Sequence, residues 1–195
     1  LEAAASQCGD ILSYENVGQA CQISGKTVKA YYEILEDTLI GFRLDAWHRA
    51  VKKRLVSHPK FYLFDTGVTN ALTYRLSAQL DPKQRGRLFE QLMVLEAYRR
   101  LHYMGSEARM YYCRTSNDTE VDLLIEKHGR FTAVFEFKSS KEIKNRDLSG
   151  IRSFLKENPG VPAYVVADVP NPFEMSGDVH VWPWLTYLNK LVEFL

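Results

Sequence analysis

The sequence predicts a mixed α/β protein in two parts, and three observations carry that reading. Apolar residues recur at three- and four-residue steps from Thr27 to Leu39 and again from Arg87 to about Tyr103, the spacing of helices with one buried face. Short apolar runs of strand length lie between and after them. A polar stretch, Asp81-Pro82-Lys83-Gln84-Arg85-Gly86, separates two segments, 1–80 and 81–195.

The first segment opens with short helical patterns. Asp10 is placed to cap one, and Ser13 the next, which runs through Val17 and Ala20. A tight turn at Ile23-Ser24-Gly25-Lys26 leads into the longer stretch, where Val28, Tyr31, Tyr32, Leu35 and Leu39 share a face. Short helix, Gly-containing turn, second amphipathic helix is the pattern of a helix-turn-helix. Two extended runs, 39–44 and 61–64, flank a basic stretch and suggest a wing. The second segment reads as a helix from Arg87, strands at 109–114, 120–126 and 131–138, and a helix at 147–157. Strands at 163–167 and 179–182 and a final helix from Pro183 complete it. The order α-β-β-β-α-β-β-α predicts helices packed on a small mixed sheet.

Composition narrows the function classes. Lys+Arg number 25 against 24 Asp+Glu, a net charge of +1, so the global basic excess of an obligate nucleic-acid binder is absent. No apolar run is long enough to span a bilayer, and no membrane partner is expected. Cys8, Cys21 and Cys113 lie far apart without a C-x-x-C, which favours free thiols and a reducing cytoplasm over disulfides or a zinc knuckle. The first residue is Leu1, not Met, and the chain is expected to be a piece of a longer one. The run from Ala20 to Thr27, ending Ser24-Gly25-Lys26-Thr27, mimics a phosphate loop. It has one Gly where two are needed and no strand before it, so it reads as the turn of the helix-turn-helix.

The chemistry is concentrated between Glu90 and Lys138. Glu90 shares a helical row with Val94, Ala97 and Leu101, so its carboxylate needs a partner or a metal unless it lies at the edge of the row and reaches solvent. The strands 120–126 and 131–138 are joined by Lys127-His128-Gly129-Arg130, a hairpin connection. Pairing centred on Gly129 sets Asp122 opposite Glu136, with Lys138 on the same face and Phe131, Ala133, Phe135 and Phe137 on the other. Close carboxylates repel unless a cation lies between them, and such hard oxygen donors suit Mg2+ or Mn2+. A metal there would polarise a phosphate and activate a water, and Lys138 would stabilise charge or orient that water.

These residues resemble the PD-(D/E)XK nuclease superfamily: D-x(12–15)-E-x-K with a Glu on the preceding helix, in a restriction-endonuclease-like α-β-β-β-α-β core. Four phrases resemble more closely the C-terminal region of bacterial and archaeal AAA-type ATPases: KAYYEILEDTLIGFRL (29–44), HPKFYLFDTGVTNAL (58–72), GRLFEQLMVLE (86–96) and RTSNDTEVDLLIE…VFEFKSS (114–140). The resemblance covers roughly residues 10–185. It implies a winged helix followed by a nuclease-like domain, with ATP bound only by a nucleotide-binding core ahead of this chain. By position it implies Glu90, Asp122 and Glu136 as metal ligands and Lys138 as the catalytic lysine. Val121 stands where the superfamily's motif has Pro.

Two basic clusters would meet DNA phosphates. One runs through Arg43, Arg49, Lys52, Lys53, Arg54 and Lys60; the other holds Lys138, Lys141, Lys144 and Arg146. Lys26 and Lys29 on the second helix join the expected nucleic-acid contacts. The alternatives are a silent nuclease-like scaffold that binds DNA or regulates the ATPase, and an oligomerisation module built on Trp182, Trp184, Leu185, Tyr187, Leu188 and Leu191.

Overall fold

Four of the helices begin at side-chain caps that the local sequence supplies. The computed structural model describes residues 1–47, 58–114 and 119–195. Helix α1 (Glu2–Ser6) is followed by α2 (Tyr14–Cys21), where Ser13 Oγ accepts from the Asn16 N–H. Helix α3 (Gly25–Asp37) starts where Ser24 Oγ accepts from the Thr27 N–H, and α4 (Thr66–Leu72) where Asp65 accepts from the Val68 N–H. Helix α5 (Pro82–Tyr103) carries a full capping box between Asp81 and Gln84, with Pro82 in its first turn. It therefore begins five residues before Arg87, the start that periodicity alone suggests. Asp10 caps no helix; its carboxylate pairs with Arg87. The phosphate-loop mimic is the turn between α2 and α3, with Gln22 in the left-handed conformation.

The strands are β1 (Gly41–Ala46), β2 (Lys60–Leu63), β3 (Arg109–Arg114), β4 (Glu120–Lys127) and β5 (Arg130–Lys138), then β6 (Ala163–Ala167), β7 (Phe173–Met175) and β8 (Val179–Pro183). They form one eight-stranded mixed sheet in the order β2-β1-β3-β4-β5-β6-β8-β7. A 3-10 turn (Asn145–Leu148) leads into α6 (Ser149–Glu157), and α7 (Trp184–Lys190) ends in a further 3-10 turn (Leu191–Glu193). The two runs expected as a wing do pair antiparallel, from Gly41↔Leu63 to Leu44↔Lys60. They also extend the main sheet, because β1 lies parallel to β3 through Asp45↔Tyr111 and Ala46↔Tyr112. The sheet thus crosses the 80/81 junction without a break.

Both faces of the sheet are covered. Ala133, Phe135 and Phe137 of β5 join one apolar cluster with Met93, Val94 and Ala97 of α5 and Tyr187 of α7. Val134, between them in sequence, joins the opposite cluster with Ile151 and Phe154 of α6. Leu123, Leu124 and Ile125 are all fully buried, as strands with two covered faces require. The crossover through α6 delivers β6 parallel to β5. Gly150 lets that helix approach: a Cβ there would lie 2.0 Å from the Glu120 carbonyl oxygen.

The β4–β5 hairpin departs from the simple register. Its turn is His128-Gly129, both at positive φ, closed by Lys127↔Arg130 and Glu126↔Phe131. The next pair is Ile125↔Ala133, so Thr132 is an extra residue on β5. Its hydroxyl donates to the Phe194 carbonyl, 2.8 Å away. The bulge moves Phe131 out of the face expected for it. It packs in the second cluster against Trp47 and Phe154, not beside Phe135 and Phe137.

The C-terminal apolar residues serve the core. Tyr187 and Leu191 are fully buried, and Trp182, Trp184 and Leu188 pack against the same cluster, while Leu185 is exposed. Cys8 and Cys113 are buried free thiols, both pushed up to about 11 by burial; Cys21 is exposed and free. Among the described residues no helix is long and apolar enough to cross a membrane.

Candidate metal centre

Beyond Thr132 the inner register, Leu123↔Phe135, sets Asp122 beside Glu136. A second bulge lies on the other edge of β4. Tyr111 pairs with Leu124 and Cys113 with Val121, so Asp122 and Leu123 together face Tyr112. Bulges re-aim side chains, and this one falls on Asp122. Its Oδ2 accepts from the Phe137 N–H at 2.7 Å. Oxygens of Glu90, Glu120 and Asp122 lie within 4.8 Å of one another. The trio therefore holds Glu120 where the expected ligand set had Glu136, which stands on the neighbouring strand.

Lys138 Nζ donates to Glu136 Oε1 at 2.5 Å. The other oxygen, Oε2, is buried and accepts no hydrogen bond from the described residues, and Glu136 is only 7% exposed. A buried carboxylate oxygen without a donor is costly, and a cation or a proton relieves it. Burial pushes the Glu136 carboxyl up to about 7 against the opposing pull of Lys138. Burial, then Glu136 and Glu90, raise Asp122 well above the carboxylate range, with Lys60 and Lys138 opposing. For Lys138, burial alone would favour the neutral amine, but Glu136 and Asp122 outweigh it and the ammonium is stabilised.

Glu90 does not sit unpaired on its apolar row. Its Oε1 accepts from Lys60 Nζ at 2.7 Å and from the Tyr62 hydroxyl at 2.7 Å. Lys60 also pairs with Glu120 and lies 5.5 Å from the centre of the Tyr112 ring. With 2% exposure it is buried inside the carboxylate group, and a role at the surface among the basic cluster is excluded. Tyr62 and Glu120 were not among the expected site residues, and Lys60 was expected only in the basic cluster. Glu120 carried a usable signal, lying two positions from Asp122 on one strand. Lys60 opens the apolar run Phe61-Tyr62-Leu63-Phe64, which marks a strand but not its partner.

The remaining expected contacts are dispersed. Lys26 and Lys29 are exposed on α3, with Lys29 paired to Glu33. Lys141 and Lys144 are exposed beyond the end of β5, the strand that carries Glu136 and Lys138. Arg43 pairs with Glu36. Arg49, Lys52, Lys53 and Arg54 lie outside the described residues.

Comparison with known proteins adds family and no activity. Residues 1–83 match a domain of unknown function, DUF8612, and residues 85–187 match another, DUF4143. Two uncharacterized proteins, Mb2031c of Mycobacterium bovis and Rv2008c of Mycobacterium tuberculosis, are each 31% identical over 129 residues. The alignment covers 63% of this chain and 27% of each relative, so the chain matches about a quarter of their length. No solved structure matches. Lys60 and Tyr62 come from the first matched segment, and Glu90, Glu120, Asp122, Glu136 and Lys138 from the second. The second match covers more than half of the residues, and the chain belongs to the DUF4143 family.

Proposed function

We propose that the chain is the C-terminal part of an AAA-type ATPase and carries a restriction-endonuclease-like domain that cleaves DNA with Mg2+ or Mn2+. One observation carries the reading: the partnerless, buried Glu136 Oε2 beside a trio of carboxylates within 4.8 Å. Asp122, Glu136 and Glu90, with Glu120, would hold the ion. All are hard oxygen donors, which suits these metals. When bound, it would supply Lewis-acid polarisation of a phosphate and a more acidic water. Lys138, with its side chain about a third exposed, is the cation able to hold a water or meet negative charge on the phosphate. Lys141 and Lys144 continue the positive path, and α2–α3 with the β1–β2 pair form the winged-helix part that would grip DNA. ATP would be bound by a core ahead of Leu1, the chain's own partner in the longer protein.

The test is nicking of supercoiled and linear DNA with Mn2+ or Mg2+. Asp122→Ala and Lys138→Ala are each expected to lower the rate by about 100-fold or more. No cleavage of any DNA or RNA form by this chain with either metal would sink the reading for it.

A second reading has its own observation. The Lys60 ammonium already bonds Glu90 and Glu120, which suits a catalytically silent, DNA-binding regulatory module of the ATPase. That reading expects DNA binding that is salt-sensitive, falls when Lys52, Lys53 and Arg54 are neutralised, and ignores Asp122→Ala.

A further inference from the structure

We propose that Lys60 is a built-in competitor of the metal: its ammonium and a divalent cation are alternative occupants of the Glu90–Glu120 pair. The inference rests on the metal-site reading above and adds a regulation to it. Lys60 Nζ lies 2.7 Å from Glu90 Oε1 and bonds Glu120 as well. Mg2+ needs oxygens at about 2.0–2.1 Å. An ion bound through the same Oε1 would stand against the ammonium, and like charges at that separation exclude each other.

The main chain of Lys60 is fixed. It pairs with Leu44 on one side and bridges to Ile11 on the other, so only the side-chain stem is free to swing. The Tyr62 hydroxyl keeps Glu90 aimed at the site whichever cation is present. Glu136 Oε2, which has no hydrogen-bond partner among the described residues, and Asp122 beside it offer the first foothold for an incoming ion. Loading is then an exchange in which the ion takes Glu90 and Glu120 as Lys60 withdraws. The competitor comes from the first matched segment and the ligands from the second, so the first governs the second's site.

The experiment titrates Mn2+ into the wild-type chain and into Lys60→Met by calorimetry. In parallel, wild-type lysines are acylated with and without saturating Mn2+ and read by mass spectrometry. Lys60→Met is expected to bind Mn2+ about ten-fold tighter or more, because no fraction of the site is held closed by the ammonium. Lys60 is expected to be protected in wild type without metal and labelled with it. Wild-type binding with equal or weaker binding in Lys60→Met overturns this inference and leaves the metal-site reading standing. Binding by neither protein overturns both. If Lys60→Met does not fold, labelling of wild type decides: protection of Lys60 unchanged at saturating Mn2+ overturns the competition.

Discussion

Two lysines flank the same carboxylates, and their surroundings differ in kind. Lys60 reaches in from β2, almost wholly buried, bonded to Glu90 and Glu120 with a tyrosine ring nearby. Lys138 sits on β5 and, among the described residues, pairs with Glu136, with 31% of its side chain exposed. A cation sealed among anions balances charge and holds elements together. A cation open to solvent is positioned to meet something that arrives from outside. The lysine expected to do chemistry is thus the less constrained one, and the more constrained one joins the chain's first segment to its second.

That contrast breaks most sharply on stability. Removing one partner of a buried ion pair costs about 3–5 kcal/mol. Urea unfolding without metal is expected to place Lys60→Met in that range and Lys138→Met clearly below it, because the Lys138 side chain is partly exposed. Equal losses would erase the distinction.

A smaller effect sharpens the Lys60 side. Gly150→Ala sets a methyl against the Glu120 carbonyl, and backbone there must shift. Overpacking of this kind costs about 1–3 kcal/mol. It also disturbs the strand end that presents Glu120 to Lys60. Thermal melting within experimental error of wild type would remove Gly150 from the account.

A third effect tests the Lys138 side. Glu136 rises from an ordinary 4.5 to about 7 in the folded chain. The folded state therefore holds its proton more tightly, and stability should fall as pH rises from 4.5 towards 7. Glu136→Gln removes that dependence. Without metal it should match wild type near pH 4.5 and exceed it by up to about 3 kcal/mol at pH 8. A constant difference across that range would mean that the carboxylate does not carry the slope.

The second segment was the more legible half. Its strands have the length and apolar runs that periodicity detects, and Glu90, Asp122, Glu136 and Lys138 all fall on the expected helix and strands. Short or long-range features escaped. Helices α1 and α4 and strand β7 hold too few residues for a period to show. The parallel pairing of β1 with β3 joins residues more than sixty apart, and no local pattern encodes it. Lys60 reads as a surface charge because it ends the basic stretch 43–60, while its neighbours in space are acidic. Register was legible only by coincidence of two errors: the turn is one step from the assumed centre, and Thr132 restores the step.

Thr132 thus gives the hairpin a sensitivity to length that no point substitution reveals. Deleting this one residue would let the two-residue turn set the register throughout β5. Phe135 would then take the place beside Asp122, and Glu136 would slide towards Val121. The spacing between Gly129 and the Glu136–Lys138 pair is as much a part of the site as its carboxylates, and a single codon separates an acidic centre from an aromatic one.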